Sequence, residues 1–292
     1  MRKPDFFIIG APKAATTALA EWLSQHPAIY FSPRKEPHYF NTEGIVGTAT
    51  QADYEALFAN AGPQHRAVGE GSTHYLYSPV AVGNILAYQP EARFIVSLRN
   101  PVEMAPALHD ECLRQGWETE RSFAKAWALQ AGRREGRGVP ATARRDPDRL
   151  LYGPYCQLGQ QLERLYNQVS ADRVLTLLVD DLRGNPAVVY RQCLEFLGVD
   201  DDGRQAFPVV NSAPRTKSVL LSQLIRRTSM LRDALCLPRD WGLAKAMRRL
   251  NTATGDRPPL PPALKDELAD YFAADIAKLE GLVRRDLSGW HA

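Results

Sequence analysis

At 292 residues, 45% apolar and 24% charged, the chain has the size and composition of one large α/β domain or two small ones. No window approaches about 18 uninterrupted apolar residues, which argues against a membrane-spanning helix, and the FFIIGA run before Lys13 is too short for the core of a signal peptide. The net charge is only +3, without the Lys/Arg block and interleaved aromatics that would point to nucleic acid.

Strand-like runs recur at 6–9, 29–31, 67–68, 93–98 and 174–179, most of them short and apolar, as buried parallel strands tend to be. Helical patterns at 17–25, 79–88, 156–168 and 186–197 alternate with them, which predicts a parallel sheet with crossover helices. Asn185 as N-cap, Pro186 in the first turn and Gly198 at the close frame the helix over 186–197. Residues 131–150, AGRREGRGVPATARRDPDRL, have much Gly, Pro and Arg and are expected to form an exposed, mobile loop. Between 213 and 250 nine lysines and arginines stand against Asp233 and Asp240, a pattern that suits an anionic ligand or a solvated helix face. GDRPPLPP (255–262) reads as a rigid connector before a last amphipathic helix over 263–282. A single domain over 1–292 accounts for the pattern, with 213–255 as a helical elaboration. The four cysteines, Cys112, Cys156, Cys193 and Cys236, form no C-x-x-C pair and fit reduced thiols in a cytoplasmic protein.

Three segments carry candidate chemistry. The first strand runs into GAPKAATT, where a turn before a helix gathers free backbone N–H groups and the positive end of a helix dipole. Thr16 and Thr17 can cap that helix and donate hydroxyls to an anion, and Lys13 adds a full charge. The spacing is not that of the nucleotide-triphosphate loop: Ala14 follows the lysine where a Mg²⁺-holding hydroxyl belongs. An anion site without metal and an ordinary turn with a surface lysine both remain open from this stretch alone. In RKEPHYF, Glu36 beside Lys35 and near His38 is a candidate general base, or an exposed loop carboxylate. In FIVSLRNPVEMA, Arg99 ends a buried strand, where an arginine is placed to fork onto a second phosphate.

Taken in order, FFIIGAPKAATTAL, RKEPHYF, GEGSTHYLY and LRNPVEMA, followed by YGPYCQLGQQLERLY, RVLTLLVDDLRGNP, CLEFLGV and LVRRDLSGW, resemble the PAPS-dependent sulfotransferases, especially the heparan sulfate branch and its bacterial relatives. The resemblance implies a P-loop-kinase-like α/β fold around a parallel sheet. It implies a 5′-phosphosulfate loop at Lys13, Ala14, Ala15, Thr16 and Thr17, and an arginine on the 3′-phosphate at Arg99. Glu36 falls at the catalytic base and His38 at a neighbouring active-site histidine, while Arg215 and Lys217 fall where the family closes a basic loop over the donor. The donor would be 3′-phosphoadenosine 5′-phosphosulfate (PAPS), with no metal and no nucleic acid. The acceptor would be a hydroxyl on a small molecule or glycan, met in part by the elaboration at 213–255. The oligomeric state stays open, a homodimer included.

Three departures accompany the resemblance. Ala15 replaces a glycine before the two threonines, so the turn must accommodate a Cβ. Ala107 stands where the family places a serine on the 3′-phosphate, beside a helix-disturbing Pro106. Gly71 replaces a lysine of the heparan branch. The competing readings are an ATP-dependent small-molecule kinase on the same scaffold, and a nucleotide-binding protein that has lost catalysis.

Overall fold

A computed structural model describes residues 2–41, 48, 50–208, 215–234, 243–253 and 257–291. The chain divides into two compact units, one of residues 1–100, 158–210 and 274–289, the other of residues 101–157, 211–273 and 290–292.

The first unit holds a five-stranded parallel sheet of β1 (Phe6–Gly10), β2 (Ile29–Phe31), β3 (Ala67–Gly71), β4 (Arg93–Leu98) and β5 (Val174–Leu178), in the order β2-β3-β1-β4-β5. Phe6, Phe7, Ile8 and Ile9 are all fully buried, so both faces of β1 are covered and its sequence shows no alternation. Helix α1 (Thr16–Ser24) follows β1, and its Leu19, Trp22 and Leu23 pack with Phe6, Ile8 and Ile95 of the sheet. The helix Pro186–Leu197 adds Tyr190 and Leu194 to the same cluster. Its ends follow the sequence reading: the Asn185 side chain accepts the Val188 N–H, and Gly198 closes it with φ of 68°. The chain leaves β1 toward β2 and β3 on one side, then crosses to β4 and β5 on the other. Around such a central strand the loops leaving the carboxyl ends diverge, which opens a crevice there.

The second unit is mainly helical among the described residues. The helix Pro101–Gln115 runs its full 15 residues through Pro106 without the disturbance the sequence suggested. The segment 131–150 also departs from its expectation. It forms short helices at Gln130–Arg134, Ala141–Ala143 and Pro147–Leu150, and Arg133, Thr142, Ala143 and Leu150 are buried. The reason is a buried ion pair that composition does not reveal. Arg133 donates through Nη1 to Glu118 Oε2 at 2.7 Å and through Nη2 to Oε1 at 2.8 Å. Glu118 also accepts the Tyr152 hydroxyl at 2.7 Å and the N–H groups of Thr119 and Glu120. Burial pushes the Glu118 carboxyl up, but the Arg133 bonds and charge outweigh it and hold the group below its ordinary value.

The basic segment is helical where described, at Val219–Ala234 and Leu243–Leu250, flanked by the antiparallel pair β6 (Arg215–Thr216) and β7 (Thr252–Ala253). Ile225 is buried, whereas Leu220, Leu224 and Leu231 are exposed. The last helix spans Pro262–Val283. Cys112, Cys156 and Cys193 are buried free thiols, and Cys236 lies outside the described residues. Among the described residues no helix is long and apolar enough to cross a membrane.

Candidate active site

The opening turn is pinned to the sheet where the Ala11 N–H donates to Ser97 O on β4 at 2.7 Å. Lys13 (φ 62°) and Ala15 (φ 57°) both take left-handed backbone conformations, which curl the chain between β1 and α1. Ala15, not a threonine, occupies the N-cap of α1, and no side chain caps the helix. Thr16 and Thr17 therefore stand as its first two residues, which corrects their expected capping role. The first N–H groups of a helix have no intrahelical partner, and the dipole adds positive charge beside them. An uncapped helix start beneath a lysine-bearing turn has the chemistry to hold an anion. Ala14 is fully buried, so the place of the metal-binding hydroxyl of a triphosphate loop is filled by a methyl group. The Ala15 methyl is accommodated by backbone strain of the kind non-glycine residues carry at positive φ.

Beyond β2, Glu36 (φ 53°) and His38 (φ 52°) repeat this left-handed geometry. The Glu36 N–H donates to Gly71 O at the end of β3 at 3.1 Å. The Thr73 hydroxyl reaches Glu36 Oε1 at 3.4 Å, and His38 Nε2 lies 3.3 Å from Glu36 Oε2. Glu36 keeps 34% side-chain exposure, so its carboxylate is held yet open to a reactant. A Cβ at Gly71 would lie 3.3 Å from the Phe31 ring, a tight contact with β2.

Beneath this loop is a carboxyl that no motif singled out. Glu70 of β3 is fully buried; it accepts the Ser72 hydroxyl at 2.9 Å and the Tyr54 hydroxyl at 3.4 Å. Ser72 Oγ in turn accepts the His38 N–H at 3.1 Å, so the buried acid supports the backbone of the Glu36–His38 turn. Burial raises the Glu70 carboxyl to about 7, against hydrogen bonds from Ser72, Tyr75 and Tyr54 that lower it, with a further push upward from Glu36. Because the folded value lies above the ordinary 4.5, the stability it confers is full below about pH 4.5 and is lost as pH rises to about 7. The loss amounts to about 3 kcal/mol. Glu70→Gln is expected to flatten melting temperature against pH across that window; an unchanged slope would show that Glu70 does not titrate there.

Arg99 lies at the carboxyl end of β4, and its Nη1 donates to Lys13 O at 3.1 Å, which fixes the backbone of the anion turn. Lys13, Ala14, Ala15, Thr16, Thr17, Glu36, His38 and Arg99 are thus all carried by loops at the carboxyl ends of β1, β2 and β4 or the start of α1. Lys217 belongs to the second unit, where its exposed ammonium donates to Leu250 O at 3.1 Å. The backbone of Arg215 pairs with Ala253, and its side chain lies outside the described residues. Ala107 is buried in the helix Pro101–Gln115. Sequence reasoning gave no role to two residues that adjoin these loops, Glu70 and Lys35, whose Nζ lies 2.6 Å from Thr17 Oγ1. An acid inside the apolar run of β3 was the available signal for the first.

No family model matches the chain. It is similar over its whole length to the crystal structure of a sulfotransferase from Alicyclobacillus acidocaldarius, with a TM-score of 0.73, 26% identity and 100% of both chains covered. It is 26% identical over 204 residues to the human bifunctional heparan sulfate N-deacetylase/N-sulfotransferase 2, covering 68% of this chain and 22% of that protein. Against mouse carbohydrate sulfotransferase 15 it is 32% identical over 143 residues, covering 34% of this chain and 26% of that protein. The chain spans about a quarter or less of the length of the curated relatives it matches.

Proposed function

We propose that the chain is a sulfotransferase that moves a sulfuryl group from PAPS to a hydroxyl of a small-molecule or glycan acceptor, a reading supported by its similarity to a bacterial sulfotransferase over its whole length and to glycan sulfotransferases over part of theirs. The observation that carries this reading is the meeting, at one sheet edge, of an uncapped helix start in a lysine-bearing turn with a tethered, half-exposed carboxylate. We take both compact units as parts of one sulfotransferase domain.

The residues of the turn suit the donor. A phosphosulfate supplies an activated sulfuryl group and a leaving phosphate, and both are anions of the kind that helix N–H groups and a lysine hold. The N–H groups and hydroxyls of Thr16 and Thr17 bind the 5′-phosphate, with Ala14 and Ala15 shaping the turn. Arg99 steadies that turn and takes the 3′-phosphate. Glu36 accepts the proton of the acceptor hydroxyl as its oxygen bonds to sulfur. Lys13 faces the phosphate oxygen that keeps the electron pair of the breaking S–O bond. His38 orients the Glu36 carboxylate through Nε2. Arg215 and Lys217 are the further donor residues that the sequence resemblance implies. The protein's work is to position reactants and stabilise growing charge, as in phosphoryl transfer.

The test is PAPS turnover against a panel of sugar alcohols, phenols, aliphatic alcohols and amino sugars, read as gain of one SO₃ by mass spectrometry. Transfer to a hydroxyl is expected. Transfer confined to amines would overturn the hydroxyl assignment, and no transfer with any acceptor would favour a protein that binds the nucleotide without catalysis.

A further inference from the structure

Lys35 precedes Glu36 in the turn after β2, and its exposed side chain crosses to α1, where Nζ donates to the Thr17 hydroxyl at 2.6 Å. Thr17 is the second residue of α1. An ammonium is the wrong charge for that place, because the start of a helix is already positive and favours anions. The turn before α1 adds the charge of Lys13, and no side chain caps the helix. Lys35 thus brings a charge from a second loop to a helix start that is already positive, an arrangement that an anion there makes favourable.

Resting on the donor reading above, we propose that Lys35 is a catalytic residue that contacts the oxygens of the transferring sulfuryl group, from the acceptor side. The division of labour follows from chain position. Lys13 and the first N–H groups of α1 belong to the turn that holds the phosphate. Lys35 comes from the turn that carries the base, and the sulfuryl group lies between base and phosphate in an in-line displacement. As the acceptor oxygen bonds to sulfur, Glu36 holds the acceptor proton and the S–O bond to the 5′-phosphate breaks with its electron pair on the phosphate. Lys35 gains and loses no proton; its charge meets the three sulfuryl oxygens throughout. Thr17 holds the ammonium at the site.

The experiment is calorimetric titration of the full chain and of Lys35→Ala with PAPS and with 3′-phosphoadenosine 5′-phosphate (PAP), which lacks only the sulfuryl group, without acceptor. A charge-assisted hydrogen bond predicts that Lys35→Ala loses about 10- to 100-fold in PAPS affinity. Its PAP affinity is expected to stay within about threefold of wild type, and an unchanged melting temperature verifies its fold. PAPS affinity that also stays within that margin overturns the proposal. Equal loss for both nucleotides overturns the sulfuryl assignment and moves Lys35 to the phosphate. Failure of the wild-type chain to bind either nucleotide overturns the donor reading itself, an outcome distinct from any result with the variant.

Discussion

Glu36→Gln is expected to lower the turnover of sulfuryl transfer by about 10²–10⁴-fold, the usual span of a general base. Glutamine has nearly the shape of glutamate and can still accept from Thr73 Oγ1, which lies 3.4 Å from Glu36 Oε1. What it loses is the capacity to take a proton. The backbone should be indifferent to the change, since the left-handed turn at Glu36 is held by its N–H bond to Gly71 O and not by the side chain. The variant should therefore bind PAP like the wild type while failing in transfer. Turnover within about tenfold of wild type at saturating acceptor would remove Glu36 from the base role. Lys13→Ala should differ in kind, because it strips charge from the donor turn and weakens nucleotide binding as well as turnover.

The largest expected effect on stability comes from Arg133→Met. Arg133 and Glu118 have side-chain exposures of 1% and 0%, so the substitution leaves a carboxylate deep in the second unit without its cation. Breaking a buried pair from one side costs about 3–5 kcal/mol, far more than a surface salt bridge. Tyr152 and the N–H groups of Thr119 and Glu120 would remain to solvate Glu118, which argues for the lower part of that span. Adding Glu118→Gln to the variant removes the stranded charge and should recover much of the loss. Denaturant unfolding of the two variants checks this. A loss below about 1 kcal/mol for Arg133→Met would mean that the pair is not desolvated as described.

The comparison of sequence with structure divides along the range of the interactions. The five strands were legible because each is a short apolar run, and the helix Pro186–Leu197 because Asn185 and Gly198 act on their immediate neighbours. The turn between β1 and α1 was legible for the same reason, since Gly10 to Thr17 is a continuous stretch. Its cap was not. Ala15 enters a left-handed conformation that its residue type disfavours, and only the surrounding fold imposes it. Arg133 looked solvated because local composition is polar; its partner Glu118 is 15 residues away and removes both from water. Glu70 and Lys35 were missed because what defines them is a crossing. One supports the turn after β2 from β3 through Ser72, and the other joins that turn to α1.

The measurement that bears most directly on the whole account is calorimetric titration of the wild-type chain with PAP and, separately, with Mg²⁺ and ATP. The turn has a lysine but a buried alanine where a metal-holding hydroxyl would sit. PAP is therefore expected to bind without added metal, and Mg²⁺–ATP is expected not to compete. Tight, Mg²⁺-dependent binding of ATP with none of PAP would contradict the sulfotransferase assignment of the site and favour a kinase on the same scaffold.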